Sequence, residues 1–483
     1  MKKKDIAAMI FGMIIYYIGM YVVAMKFSKG LVTSIQKIAI PIIAIIALFD
    51  ILLRYKKEKK INYTKIFIYI FIIGIMLRTM YVSYTTINER QHDVDGDRGH
   101  LAYIEYVYEN AKLPDNNEWQ FYQQPLHHII SAIWLKINTM CKIDYEVAKE
   151  GLCILPAIYS GISMIIMYLI LLKLKINEKF IPMVMAVVAT HPSFIILSSS
   201  INNDMLVTMF LFLDILCLIK WDEKPSIKNT IILAILTALT VLSKISGVLI
   251  ALPISYVFIK KFFVAIKERK DVVKYILKFA VFGVISLSIG LSYSIRNKVL
   301  FDQAIGEVPS PGEKVYCGYD SLIKRLNPIS IEWNRLYCNA FEESNITIYI
   351  TKSSLFGEWR PDNLEEKVLP ILLITFNAIL ITISIISFII ITNPLKNRSN
   401  VLNILICFYF AQMLMYLASN DAMPYGCTMD FRYIVPTAFL GMAFIAEVFQ
   451  KESMASQVAV KTLTYIFVTL SIVSETTLLY QLY

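Results

Sequence analysis

The sequence predicts an all-α integral membrane protein with about thirteen transmembrane helices. Three observations carry this. Of 483 residues, 57% are hydrophobic and 17% charged, whereas a soluble domain carries about 25% charged residues. Apolar runs approaching the roughly 20 residues that a spanning helix needs recur from one end of the chain to the other. The Lys and Arg residues alternate between the connecting segments in the way that sets membrane orientation.

The runs lie near 6–25, 38–53, 66–84, 151–172, 180–197, 205–219, 230–243, 247–259, 275–295, 368–392, 401–418, 434–449 and 462–482. The runs 230–243 and 247–259 are short, so they read either as a tight hairpin or as one long helix. The first run follows Lys2, Lys3, Lys4 and Asp5. No small-residue cleavage site comes after it, so it reads as a retained first helix rather than a signal peptide.

With the N-terminus in the cytoplasm, the segments 54–65, 173–179, 220–228, 260–274 and 395–398 fall inside. Segment 54–65 holds six basic residues and one acidic; 260–274 holds six and two. The two long polar segments, 85–150 and 296–367, fall outside, with 11 acidic against 6 basic and 11 against 9. The formal charge of +10 is therefore an orientation signal and not a nucleic-acid footprint. The chain divides into three helices (1–84), an outer catalytic loop (85–150), a helical block (151–295), an outer loop or small cap (296–367) and the C-terminal helices (368–483).

The loop 85–150 contains two interfacial helices. From His100, apolar residues recur at Leu101, Ile104, Val107 and Tyr108, the spacing of one helix face, and Pro114 ends that helix. A second opens at Pro125 and turns Leu126, Ile129, Ile130, Ile133, Trp134 and Ile137 to one side. Both are too short to span and suit the lipid–water boundary, as do Trp119, Phe121 and Tyr122. Ahead of them stand Asp93, Asp95 and Asp97 at alternate positions. Such a cluster reads as a general base, a divalent-metal site or a solvated turn. A calcium loop fits poorly, because Gly96 follows the second Asp and no Glu stands at the twelfth position. Cys317 and Cys338 share one outer segment and read equally as a disulfide or as two free thiols.

Several motifs occur in a fixed order on the outer face. They are Gln91-His92-Asp93, Gly99-His100-Leu101-Ala102-Tyr103-Ile104, Phe121-Tyr122-Gln123-Gln124-Pro125-Leu126-His127-His128, Asn202-Asn203-Asp204-Met205, Leu242-Ser243-Lys244-Ile245-Ser246-Gly247, and Phe431-Arg432-Tyr433 before Pro436. In order and topology the chain resembles the GT-C superfamily of polyprenyl-phosphate-sugar-dependent glycosyltransferases, such as the protein O-mannosyltransferases and the lipid A aminoarabinose transferases. The resemblance implies an inverting transfer from a polyprenyl-phosphate sugar to a lipid, glycan or protein acceptor at the extracytoplasmic face of a bacterial plasma membrane. Its base would be Asp93, Asp95 or Asp97. Asp93 is favoured because the run Arg90-Gln91-His92-Asp93 follows the third span closely. This chain departs from the family's pattern in having Val94 after Asp93, and in the spacing from acid to His.

Lys244 and Arg432 are basic residues beside spans on the acidic face, fitted to a lipid phosphate; their ordinary reading is interfacial snorkelling. His127, His128, His100, Gln124, Tyr433 and Glu358 complete the expected substrate-binding set, with helix contacts as the ordinary reading of the histidines. Asn203 and Asp204 also read as a helix cap. The residues single out no certain cofactor, and a divalent metal stays open. The competing classes are a transporter or flippase of lipid-linked sugars, and a polysaccharide polymerase or ligase. A transporter would carry ionisable groups inside its spans, where this chain has little beyond Asp214 and Arg78.

Overall fold

A computed structural model describes residues 3–91, 93–94, 99–269, 271–309, 315–328, 343–358, 367–393 and 398–478. Among these no β-strand is present; one antiparallel bridge pairs Tyr316 with Tyr425. Each apolar run of the sequence is helical over most of its described length. The helices α1 (Lys3–Lys26), α2 (Lys29–Glu58) and α3 (Tyr63–Tyr84) lead to the one-turn α4 (Ile87–Arg90). The first polar loop then folds as α5 (His100–Asn110), α6 (Leu126–Met140) and α7 (Tyr145–Glu150). Both interfacial helices stand where periodicity puts them, although α5 stops at Ala111, in the left-handed conformation (φ 50°), before reaching Pro114.

The central block is α8 (Ile154–Leu174), α9 (Ile181–Thr190), α10 (Pro192–Leu197), α11 (Asp204–Glu223), α12 (Ile227–Ser243), α13 (Ala251–Lys267) and α14 (Val272–Gly290). The hairpin reading holds for α12 and α13, because Lys244 adopts an extended conformation (φ −157°, ψ 137°) and breaks the helix. Next come α15 (Ser292–Phe301), α16 (Leu322–Arg325) and α17 (Ile346–Phe356), then α18 (Val368–Thr392), α19 (Asn400–Ala422), α20 (Pro436–Phe449) and α21 (Met454–Val473). In the second polar segment α17 is buried against the bundle through Ile348, Tyr349, Leu355 and Phe356.

Nine described helices are long and apolar enough to cross a membrane, and ten if the bent pair Gly426–Ile434 and Pro436–Phe449 is one span. About thirteen were expected; three of the expected runs, 180–197, 205–219 and 230–243, do not meet this test of length and composition and make the difference from ten. α11 carries Asp214, Lys220 and Asp222 in its length, α12 has 17 residues, and the run 180–197 splits into α9 and α10.

The α9–α10 break has a local cause. Pro192 supplies no N–H, and it disfavours helical backbone at His191, which is extended with ψ 125°. The carbonyls freed there need donors, since lipid offers none. Arg78, fully buried in α3, supplies them. It donates to Ala189 O at 2.8 Å and Val188 O at 3.3 Å, with Ser160 Oγ at 2.8 Å on its Nε. Asp214 is likewise a bridge between helices, accepting from Thr237 and Thr240 of α12 at 3.1 and 2.5 Å.

The basic loops gather at one end of the bundle. Lys173 meets Glu223 at 2.7 Å, Lys261 meets Asp222 at 3.0 Å, and Asn400 donates to Asp222 at 3.2 Å. Asn177 N donates to Gln450 at 2.8 Å in the same layer. α1, α2 and α14 are peripheral, with most of their apolar surface uncovered by protein.

Replacing Arg78 by Leu should strand the Val188 and Ala189 carbonyls in the core. The cost expected is about 2–4 kcal/mol, read as a lower thermal midpoint in detergent. An unchanged midpoint would refute this account of the break.

Candidate active site at the acidic end of the bundle

Five sequence-remote segments meet at the end opposite the basic loops, each delivered by a helix break. α4 is closed by a capping box between Thr86 and Glu89. Arg90 ties it to α3 by donating to Thr85 O at 2.6 Å and Val82 O at 3.0 Å. Gln91 accepts from Asn202 at 2.7 Å, and Asp93 O and Val94 O accept from His100 N and Leu101 N. Asp93 is thereby set beside the first turn of α5.

Asp204 opens α11. The preceding Asn203 donates to Gln123 at 2.7 Å and to Ser243 O at 3.0 Å, holding the loop before α6 and the end of α12 together. Lys244 sits at the break after α12. The turn that follows requires glycine at 247, because a Cβ there would stand 2.7 Å from Thr240 O. Arg432 lies on a turn capped by Asp430, whose carboxylate accepts from Arg432 N at 2.7 Å; Pro436 then starts α20. Glu358 follows Gly357, which ends α17 with φ +65° and whose carbonyl accepts from the buried Lys352 at 2.8 Å.

These segments enclose a cavity of about 500 Å³ lined by Asp93, His100, Gln124, Lys244, Glu358, Arg432 and Tyr433 among others. Arg432 is its electrostatic centre. It lies 3.2 Å from Asp93, 3.1 Å from Glu358 and 3.8 Å from Asp204, and donates to the Tyr433 hydroxyl at 3.2 Å. Lys244 is paired with Asp204 and stands 4.8 Å from the Tyr433 ring centre. Burial pushes the Asp93 carboxyl up, but Arg432, then His100 and Lys244, outweigh it and hold the group well below the usual carboxylate range. Asp93 Oδ1 and Asp204 Oδ2 are buried and have no hydrogen-bond partner.

A line of imidazoles runs back from Asp93. His100 Nε2 is 3.6 Å from Asp93 Oδ2, and its Nδ1 is 2.9 Å from His128 Nε2. His128 Nδ1 in turn faces Gln124 O at 3.2 Å. A carbonyl only accepts, so His128 carries its proton on Nδ1 and receives one from His100 Nδ1. The ring edge that His100 shows Asp93 is thus Nε2.

The structure brings Asp93, His100, Gln124, Lys244, Glu358, Arg432 and Tyr433 together. It does not bring the pair His127 and His128 to the cavity wall. Adjacent helix positions point about 100° apart; His127 turns to Ile201 O at 2.7 Å, and His128 stacks on Tyr103 with ring centres 4.0 Å apart. Asp95 and Asp97 lie outside the described residues, as does Cys338. Cys317 is buried, with its thiol 3.4 Å from Val315 O. Asp204, read in the sequence within the Asn202–Met205 motif and as a cap, is the partner of both cations, and Gln123, read only within the motif before α6, is an amide of the cavity wall. The pairing of Asp204 with Lys244 was not legible, because a contact across 40 residues leaves no local pattern. Among the described residues no cluster of three or more His, Cys, Asp or Glu is arranged to hold a metal.

Burial holds His127 down at about 4 and His128 well below its ordinary value, against about 6.5 for a free imidazole. Between these values the unfolded chain binds more protons than the folded one, so stability rises with pH across that window. Asp93 adds stability that is lost only lower, as pH falls through the carboxylate range. The thermal midpoint should therefore drop by a few degrees on going from pH 7 to pH 5. His127→Gln, which keeps an N–H for Ile201 O, should flatten that slope; an unaltered slope in the variant would contradict the assignment.

Comparison with known proteins gives one family. Residues 141–302, about a third of the chain, match the dolichyl-phosphate-mannose-protein mannosyltransferase family. No curated protein matches the chain in sequence. Among solved structures it is similar to the archaeal oligosaccharyltransferase AglB of Archaeoglobus fulgidus, in complex with an inhibitory peptide and a dolichol-phosphate. That likeness has 12% identity over 88% of this chain and 56% of that one, with a TM-score of 0.47. It is also similar to apo ArnT of Cupriavidus metallidurans, at 12% identity over 79% of this chain and 73% of that one, with a TM-score of 0.36. The chain spans little more than half the length of the oligosaccharyltransferase. Residues 141–302 are thus similar to that mannosyltransferase family, while the solved structures, at 12% identity and TM-scores below 0.5, add nothing to the match.

Proposed function

We propose that the chain is a membrane glycosyltransferase that moves a sugar from a polyprenyl-phosphate donor to an acceptor at the extracytoplasmic face, with Asp93 as general base. The observation that carries this is the meeting of one carboxylate, Asp93, with two cations, Arg432 and Lys244, in a single cavity at the acidic end of the bundle. The matched family's name supplies the donor chemistry, a dolichyl-phosphate sugar.

The reaction makes different demands on these groups. The acceptor hydroxyl gives its proton to Asp93 as its oxygen bonds to the anomeric carbon. The bond from that carbon to the phosphate oxygen breaks, and the polyprenyl phosphate leaves with the electron pair. A single displacement of this kind inverts the anomeric centre. Charge builds on the departing phosphate, where Arg432 and Lys244 meet it with charged donors. Held by Arg432, Asp93 is a weak base. A donor phosphate competes for the same guanidinium and lets the carboxylate recover proton affinity. Base and phosphate site are in this way coupled through Arg432.

The test uses purified protein with radiolabelled polyprenyl-phosphate sugars and lipid, glycan and peptide acceptors. Asp93→Asn should lower transfer by about 10²–10⁴-fold with donor binding retained, and Arg432→Gln should weaken donor binding itself. Full transfer by Asp93→Asn would remove Asp93 from the role, and movement of lipid-linked sugar without transfer would favour the flippase class. Orientation is checked separately, on a background without native cysteines. Cysteines placed at Lys57 and Glu118 should react with an impermeant maleimide from the cytoplasmic and outer sides respectively; labelling of both from one side would overturn the assigned face.

A further inference from the structure

A second pocket, of about 350 Å³, opens between α1, α2, α3 and the start of α8. Its walls include Met20, Ala24, Val32, Val82, Ile154 and Ala157, all apolar. Its mouth is charged and of mixed sign. Lys29 meets Glu150 at 2.9 Å, Arg90 lies 3.8 Å from the same carboxylate, and Glu146 stands beside them, paired with Lys149 at 2.8 Å. Lys29 is 41% exposed and Glu146 75%, so both can turn toward a ligand.

The surroundings decide what reaches this pocket. Val22, Phe27, Leu31 and Ile35, on the hairpin that forms its outer wall, are exposed large hydrophobics. In a membrane protein such a face meets acyl chains. Left empty, apolar walls this far apart lose the dispersion contacts that a chain would restore. Water is a poor filler for a cavity so lined. At the mouth, a phosphate complements Lys29 and Arg90, and an ammonium group complements Glu146 and Glu150. A headgroup bearing both charges matches the rim better than a purely anionic one.

We propose that this pocket binds one acyl chain of an ethanolamine glycerophospholipid, with its phosphate at Lys29 and its ammonium at Glu146 and Glu150. The site is separate from the cavity holding Asp93, and nothing in the sugar-transfer reading requires it.

The protein, purified in detergent after mixing with vesicles of equal parts phosphatidylethanolamine, phosphatidylglycerol and phosphatidylcholine, is examined by native mass spectrometry. Phosphatidylethanolamine should be retained at one per chain, several-fold above the other two. Ala24→Phe, which fills the pocket from a half-buried wall position, should abolish that retention. Lys29→Glu, at a half-buried position of the rim, should reduce it about fivefold. Equal retention of all three lipids, retention of detergent alone, or unchanged retention by Lys29→Glu would overturn the proposal. None of these readouts involves sugar transfer, so either reading can fail without the other.

Discussion

The guanidinium of Arg432 is the contact on which the acidic end of the bundle depends. It stands between Asp93, Glu358 and Asp204 at 3.2, 3.1 and 3.8 Å, so three carboxylates from three segments share one cation. A carboxylate taken this far from water is tolerable only when paired. Removing the guanidinium would leave three like charges facing one another, a larger penalty than loss of any single hydrogen bond. Arginine suits the position better than lysine, because its planar fork offers donors in several directions at once. Lys244, with one compact charge, serves Asp204 from the other side.

Much of this was legible from residue type set against location. Lys244 and Arg432 stood out because they were basic residues on the acidic side of the membrane, and both line the cavity. Asp93 stood out through its closeness to the third span, and Arg90, which fastens that corner, explains why the closeness is kept. The two interfacial helices were legible from periodicity. What sequence could not supply was direction. His127 and His128 read as a pair, but consecutive helical residues do not face one way, and burial takes both away from the cavity. Hydropathy records where apolar residues are, but not that Pro192 divides one run into two helices.

The helix breaks explain why these residues, and not others, form the cavity. Backbone that leaves the helical path in a membrane protein must find other partners. The breaks after Arg90, before Asp204 and after Ser243 find them in one another, and the one at 430–435 finds a partner within itself. Gln91 meets Asn202, Asn203 meets Ser243 O, and Asp430 caps its own turn. The polar side chains that satisfy the breaks are thus gathered by a structural need, and the charged residues among them inherit a shared, partly dry space. Arg78 solves the same problem at the His191–Pro192 break, but it is surrounded by core and opens onto no cavity.

The charge balance of that space constrains any anionic ligand. Lining it or paired with its cations, Asp93, Asp204, Glu307 and Glu358 are negative and Lys244 and Arg432 positive, so carboxylates outnumber cations. A phosphate entering such a site meets two cations already engaged, so its attraction to them is opposed by the carboxylates it displaces. The opposition is eased because Asp93 feels Lys244 as well as Arg432, so a phosphate drawing Arg432 away leaves the carboxylate in the field of a second cation. Asp93 can then loosen from Arg432 without becoming a buried, unpaired charge, which a carboxylate must do to act as a base beside a bound phosphate.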